Sequence, residues 1–556
     1  MRNTVSRALG ILLLAALGLP APARAADDVV MKALHDELDR SMKDLQLEQL
    51  EKPYFISYRV QDRTSLDTSA TFGGLLTGGV TRVRFLTVQV RVGDYQRDNS
   101  NFLTDPPKAN GLTENTVLPI DDDYQELRRQ IWLATDAAYK SAVEILSRKR
   151  AALENRQARE NIPDFSKEQP VTSLEPFSPI KMDLPKSEAL VKDLSAIFRQ
   201  SPDIYTSTAS LGLTDTRSWY LNSEGSSATD ETTAATLVAM AQTQDLDGTM
   251  QPDWVMISGR SLESLPSEAD LTAQVRTMAD RLAQVRKAPM VERYNGPVLF
   301  DGPAGAEAFS QVLAPKLMAM RAPSSDIPQL ETYAAQGVSK FQERLGSRIL
   351  PRSMNVIDDP TQAAYQGTTL LGAHTVDDEG VKARPTTLVE TGFLKTLLNT
   401  RDPISTIPQS TGSFRTFGAQ PSNLFLNAGD GVTEEELKNQ LISMVKQRNG
   451  DFGVVVRKVG REIDKVFPDG HEELMRLGQF DGLDDGAFKD VAAVSHDQYV
   501  FSVPFAAYGG RLYPGQNGAP LVSFIAPSLL FEELSLKPAT GELPRLPLSK
   551  HPFFDK

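Results

Sequence analysis

Trp219-Tyr220-Leu221-Asn222-Ser223-Glu224-Gly225 closes one strand-like run and leads into another, Ala228 to Ala241. Asn222 to Gly225 is a turn sequence, because the glycine takes positive φ without a Cβ clash and Asn and Ser satisfy turn backbone groups. Upstream lie two further strand-like runs, Ile204 to Leu213 and Arg217 to Leu221, with a predicted helix before them over Leu190 to Arg199. Downstream, Leu271, Val275, Met278 and Leu282 fall on one face of a predicted helix over Ser267 to Arg286. Strand runs flanked by helices give an α+β class, and Lys287 to Asn295 is the candidate boundary between two domains.

Toward the N-terminus, Val30, Leu34, Leu38, Met42 and Leu45 mark an amphipathic helix within Asp27 to Lys52. Alternating β-branched and aromatic residues then predict strands between Pro53 and Val92, broken by turns at Gly73-Gly74 and Gly78-Gly79. No Lys-Ser or Lys-Thr follows Gly79, so this is a hairpin loop and not a phosphate loop. Asp121-Asp122-Asp123 caps a long helix carrying Leu127, Ile131, Ala134, Ala138 and Ile145, since carboxylates complement the N-terminal end of a helix dipole. A polar connector with Pro163, Pro170, Pro176, Pro179 and Pro185 follows, and is expected to be extended.

The second half opens with a short apolar strand, Pro297 to Phe300, then Asp301-Gly302-Pro303 and a predicted helix from Ala304 to about Met318. Beyond Gly337 the pattern is mostly strand and turn, with strands at Ser353 to Ile357, Thr386 to Glu390 and Val454 to Val459. Helices are expected over Glu434 to Lys446 and from Asp490 to the start of the next strand. The domain reading is therefore 26–290, with a helical and Pro-rich insertion at about 121–185, and a strand-rich 294–556.

Arg2 and Arg7, the apolar run Ala8 to Leu19 and the small-residue triplet Ala23-Arg24-Ala25 have the order of a secretory signal peptide over residues 1–25. Export to the periplasm or medium is expected, with no membrane insertion after cleavage and no cysteine for lipid attachment. The chain has 556 residues and no cysteine, which removes disulfides, thiolate nucleophiles and thiolate metal ligands together. Its net charge of −13 argues against nucleic acid as a partner, because phosphate binding relies on clustered Lys and Arg.

Several segments taken in order resemble the TldD/PmbA family of modulator-of-gyrase proteins. Asn222-Ser223-Glu224-Gly225 resembles its N-S-E-G turn, and Asp377-Asp378-Glu379-Gly380 with Leu388 to Leu394 resembles its D-D-E-G strand pair. Thr411-Gly412-Ser413-Phe414-Arg415 stands where the family has T-G-x-x-R, and Ala526 to Phe531 is similar to its closing P-x-L segment. The resemblance implies a two-domain α+β fold, with a mixed α/β-type N-terminal domain and a strand-rich C-terminal one, whose paired subunits enclose a chamber admitting unfolded peptides. In TldD-type members a helix carries H-E-x-x-x-H and a later cysteine completes a zinc site; PmbA-type members lack the motif and serve as the partner. The resemblance sets Phe309 and Ala314 at the two histidine positions, Ser310 at the glutamate position, and Tyr513 to Gly518 at the cysteine segment. No zinc or other cofactor is therefore expected.

Other chemistry is thinly marked. Of the five histidines, His35, His374, His471, His496 and His551, His471-Glu472 begins like a zincin motif, yet Met475 stands where the second ligand belongs. His374 with Asp377, Asp378 and Glu379 is an alternative oxygen-rich metal site, set against an acidic hairpin turn. Ser413 is not in a G-x-S-x-G elbow, and Asp481 to Gly486 lacks the ligand pattern of a calcium loop. Arg415, on a glycine-containing loop, is a candidate to clamp a peptide carboxylate, set against a surface ion pair.

The leading expectation is an exported, zinc-less family member, a pseudoenzyme acting as peptide-binding or partner subunit of a peptidase-like assembly. It would work as a homodimer or as a heterodimer with a TldD-like paralogue. Two alternatives are an active peptidase with a non-standard site, and a stand-alone homodimeric binding protein.

Overall fold

The computed structural model describes residues 28–47, 49–107, 110–154, 161–245, 248–416, 418–476, 478–508, 511–512 and 519–538. The segments read as a signal peptide and as the counterpart of the family's cysteine, and His551, lie outside the described residues. Among the described residues no helix is long and apolar enough to cross a membrane.

The first half is a twisted sheet with helices on one face. Its elements are α1 (Val29–Asp44), β1 (Pro53–Thr71), β2 (Gly74–Val92), β3 (Leu112–Leu118), α2 (Tyr124–Glu154), β4 (Thr172–Leu174), α3 (Leu184–Ala196), β5 (Ile204–Asn222), β6 (Ser227–Gln244), β7 (Met250–Gly259) and α4 (Glu268–Val285). The strands lie in the order β3-β2-β1-β5-β6-β4, with β7 also on β6. Every pair is antiparallel except β4 with β6.

Alternation sorts the side chains of β1. Ile56, Tyr58, Val60 and Leu66 are buried against helices, while Arg59, Gln61, Arg63 and Ser65 share the opposite face. One end of the sheet packs on α1 and α2 through Leu34, Leu38, Leu127, Ile131 and Tyr139. The other packs on α3 and α4 through Val191, Leu194, Leu271, Val275 and Met278. Each fully buried Leu, Ile or Val contributes roughly 1.5–3 kcal/mol relative to exposure.

The second half holds β8 (Tyr294–Phe300), α5 (Pro303–Val312), β9 (Met354–Asp358), β10 (Thr386–Glu390), β11 (Asn423–Ala428), α6 (Glu434–Gln447), β12 (Gly453–Lys458), β13 (Glu462–Val466), β14 (Val491–Pro504) and β15 (Leu521–Pro538). These eight strands belong to an eleven-stranded sheet with β15 in the middle, between β11 and β8. Leu521 to Phe531 of β15 is buried residue after residue because both faces of the sheet are covered. Phe524 and Phe531 join the cluster that holds Phe309 of α5, while Leu530 joins Leu437 and Leu441 of α6.

Five local expectations are corrected. Ile204 to Leu213 and Arg217 to Leu221 are one strand, β5, carried through Thr214-Asp215-Thr216 by unbroken pairing with β1 and β6. Gly78-Gly79 is no turn but lies within β2, opposite Thr68 and Asp67, with Glu188 occupying the space a Cβ at Gly78 would need. The connector is extended yet not merely a linker, since Asp164, Phe165 and Ser166 are buried, and Pro185 opens α3 where a missing N–H costs nothing. Helix α5 ends at Val312 rather than near Met318, because Pro315 cannot donate to the i−4 carbonyl; Ala314 lies in a 3₁₀ turn instead. No helix starts at Asp490: a 3₁₀ turn ends there and Val491 enters β14, whose pairing with β15 overrides the local pattern.

Candidate functional site

Helix α5 lies unusually close to β15. A Cβ at Gly305 would sit 2.1 Å from the Pro527 carbonyl oxygen, so only glycine permits this approach. Phe309 is fully buried and meets Phe524 edge to face at 6.2 Å. The Ser310 hydroxyl donates to the Glu307 carbonyl at 2.7 Å, one turn back. Ala314 is 1% exposed. The helix does carry one carboxylate inward, Glu307, but it accepts from Val459 N at 2.9 Å and from Arg461 at 3.0 Å. Zinc is held by imidazole, thiolate or carboxylate. A benzyl ring and a methyl group offer no donor, and the hydroxyl is engaged, so these three residues do not fit the ion. Among the described residues no group of three or more His, Cys, Asp or Glu is placed to hold a metal.

Where the halves meet, the two glutamate-glycine turns dock on each other. Tyr220 donates its hydroxyl to the Glu379 carbonyl at 2.8 Å, and Ser226 donates to the Gly380 carbonyl at 3.2 Å. Gly380 has φ 76° and a Cβ there would sit 2.2 Å from the Tyr220 ring, so glycine is required twice over. Arg401 locks the pair. Its guanidinium gives a bidentate pair of hydrogen bonds to Glu224, at 2.7 and 2.8 Å, and its backbone N–H donates to the Glu379 carboxylate at 2.9 Å. The same guanidinium donates to the Ser166 carbonyl and lies 3.8 Å over the Phe165 ring, whose environment also includes Arg91 at 3.6 Å. The connector is thus part of the clamp. Arg401 escaped the sequence reading, since its partner Glu224 is 177 residues away and nothing local marks it.

His374, Asp377, Asp378 and Glu379 are brought together in one acidic turn and its surroundings, but aim at different partners. Asp377 accepts from the backbone N–H groups of Glu379, Val381 and Phe414. Burial still pushes it up to about 7. Asp378 pairs with Arg59 at 2.5 Å and accepts from Thr416 N at 2.8 Å. Burial, then the carboxylates of Asp402 and Asp377, push Glu379 up to about 8. His374 Nδ1 lies 2.9 Å from the Gly372 carbonyl and 3.1 Å from the Arg415 guanidinium, and Nε2 faces the Gly412 carbonyl at 3.4 Å. Burial, and secondly the Arg415 charge, hold it down at about 4.

The remaining candidates are dispersed. His35 and His496 are exposed, and His471 stacks on Phe467 beside Asp469. Ser413 is buried, its hydroxyl 2.9 Å from that of Thr411. Asp485, in the acidic loop, pairs with Lys316 and Arg344 at 2.7 and 2.6 Å. A cavity of about 250 Å³ lies between Asn101–Leu103 of the first half and Met318–Arg321 of the second, with Asp402 and Phe414 in its wall.

This arrangement defines an α+β protein built on two large sheets, with its halves clamped through paired Glu-Gly turns and its α5 helix packed into the core. The chain belongs to the PmbA/TldD family: residues 177–284 match the PmbA/TldA metallopeptidase central domain and residues 295–537 the PmbA/TldA metallopeptidase C-terminal domain. A metalloprotease of Methanocaldococcus jannaschii is 34% identical over 111 residues, 19% of this chain and 23% of the relative. One of Archaeoglobus fulgidus is 31% identical over 198 residues, 34% of this chain and 45% of the relative. The matched stretches therefore span less than half the length of these relatives. Among solved structures, TldE from Thermococcus kodakarensis superposes with TM-score 0.57 at 14% identity, covering 91% of this chain and all of that one. A candidate modulator of a DNA gyrase from Thermotoga maritima gives 0.58 at 15% identity, covering 87% and 96%. At such identities the likeness shows the fold.

Proposed function

We propose that this chain is an exported PmbA/TldD-family protein without a zinc centre, acting as a peptide-binding or partner subunit of a peptidase-like assembly on unfolded peptides. One observation carries the reading. The positions set against the family's H-E-x-x-x-H hold Phe309, Ser310 and Ala314, and all three are buried in the core of the second half. Such a surface has nothing with which to lower the pKa of water or polarise a carbonyl. What the fold retains is the clamp between halves, which keeps the surfaces facing a bound chain in register. The family's metallopeptidase character and the likeness to TldE support the assembly, and Arg2 to Ala25 supports export.

Mature protein incubated with an unfolded peptide is expected to cleave nothing alone, and to join an assembly that cleaves when an exported paralogue carrying H-E-x-x-x-H is added. Chelator-sensitive cleavage by the chain alone would overturn the proposal. A His374→Ala variant separates the remaining enzymatic alternative: if the single chain has activity and that substitution abolishes it, the acidic turn is the site.

A further inference from the structure

The cavity of about 250 Å³ between the halves is walled by segments stitched to each other. Phe102 and Leu103 pair in parallel with Ser324 and Ser325 of the second half, and Ser324 N donates to the Asn101 carbonyl at 2.9 Å. Asn101 and Asn110, both in the wall, are held at φ 54° and 50°, a left-handed conformation that asparagine tolerates better than most residues. The Asn99 amide fixes the second of them by donating to the Asn110 carbonyl at 2.9 Å. The space is therefore held open by backbone contacts before any ligand arrives. It exceeds the roughly 150 Å³ that accommodates a benzene ring, so one amino-acid residue fits with its side chain.

Phe102, Leu103, Met318, Met320 and Phe414 give the cavity an apolar lining, and one that adapts, since unbranched methionines settle around side chains of different shape. Asp402 breaks that lining. The segment Thr400-Arg401-Asp402 gives Arg401 to the clamp and Asp402 to the cavity wall, where its side chain stays 35% exposed and so within reach of a ligand. Among the described residues its Oδ1 is enclosed without a hydrogen bond, and its one ion pair is with Arg91 at 3.5 Å. That guanidinium is committed elsewhere, to Asp98 at 2.9 Å and to the face of Phe165. Arg321, the other charge in the wall, is held by Asp164 at 3.1 Å and by the Pro163 carbonyl. Asn110 Oδ1 also lacks a donor. The wall thus combines apolar surface with unused acceptors, and a carboxylate short of hydrogen bonds is costly to enclose. An ammonium brings three N–H donors and a positive charge, whereas an incoming carboxylate or phosphate meets repulsion from Asp402.

We infer that this cavity binds an ammonium group borne on an apolar stem, with Asp402 as its counter-ion and the methionine-lined surface around its stem. A peptide supplies that chemistry at its N-terminal residue or at a lysine side chain. The inference rests on the peptide-binding reading and specifies which part of the peptide is recognised.

The test uses three unstructured peptides of equal length, each carrying fluorescein at the C-terminal end. One has a free N-terminal leucine, one has that leucine acetylated, and one is acetylated with a single lysine near the same end. Anisotropy titrations on the purified full chain are expected to show the free-amine probe, the lysine probe or both binding about tenfold tighter than the acetylated one, as for a hydrogen bond between charged groups. Which of the two gains identifies the source of the ammonium. Asp402→Asn is expected to remove most of that preference while leaving the acetylated probe unchanged, and Met320→Phe, which fills the cavity, to weaken the preferred probe. An acetylated probe that binds as well as both others overturns the cavity assignment and leaves peptide binding standing. So does a preferred probe whose affinity is unaltered in the folded Asp402→Asn chain or in the folded Met320→Phe chain. No binding of any probe overturns the peptide-binding reading itself.

Discussion

Helix α5 and the docked Glu-Gly turns are both buried, yet they are filled by opposite chemistry. Around α5, Phe309, Ala306, Ala308 and Ala314 pack on the sheet with one engaged carboxylate, Glu307. Around the turns, Arg401, Glu224, Glu379, Asp377 and Tyr220 share a few ångströms, and the connector's Phe165 lies beneath two guanidiniums. The difference teaches which family motifs are structural. N-S-E-G and D-D-E-G do their work here by joining two halves, a task independent of whether α5 holds an ion. On the proposed reading, a chain keeps the first without the second and still folds as a member.

The largest effects are expected where either region is emptied. Arg401→Ala strands Glu224 and should cost about 3–5 kcal/mol in denaturant unfolding; also replacing Glu224 with Leu should recover much of it, since the isolated charge is the damage. Phe309→Ala should cost a similar amount, about 3–5 kcal/mol, as for any ring removed from a packed core. A loss below about 1 kcal/mol there would show that the ring borders an open site instead. Gly305→Ala, which drives a methyl into the Pro527 carbonyl, should cost about 1–3 kcal/mol and be read as a lowered Tm.

A subtler effect concerns Glu379, raised to about 8 in the folded chain and ordinary, near 4.3, when unfolded. The folded state holds this proton more tightly, so its stabilisation is complete below about pH 4, declines as pH rises toward 8 and is lost above. Glu379→Gln should flatten that decline in Tm measured between pH 5 and 8; an unchanged slope would assign the titration to another group. The smallest expected effect is that of a chelator, which should leave Tm unmoved.

The regular helices were legible because their apolar periodicity is unmistakable, as with Leu271, Val275 and Met278 of α4 or Leu437 and Leu441 of α6. The ends of elements were less so. Thr214-Asp215-Thr216 reads as a break, but Asp215 accepts from Ile180 N and the β-branched threonines suit a strand, so β5 runs on. Pro315 was visible and its consequence, the early end of α5, follows from it. The clamp was half legible: both turns were marked by their own residues, whereas Arg401 becomes significant only when folding brings residues 166, 224 and 379 around it.

The account turns on α5 being packing rather than a metal centre, and elemental analysis of the purified chain after dialysis against excess zinc and then buffer addresses that directly. Zinc well below one equivalent per chain is the predicted result. One tightly held equivalent, whose removal by a chelator abolishes peptide cleavage, would contradict it.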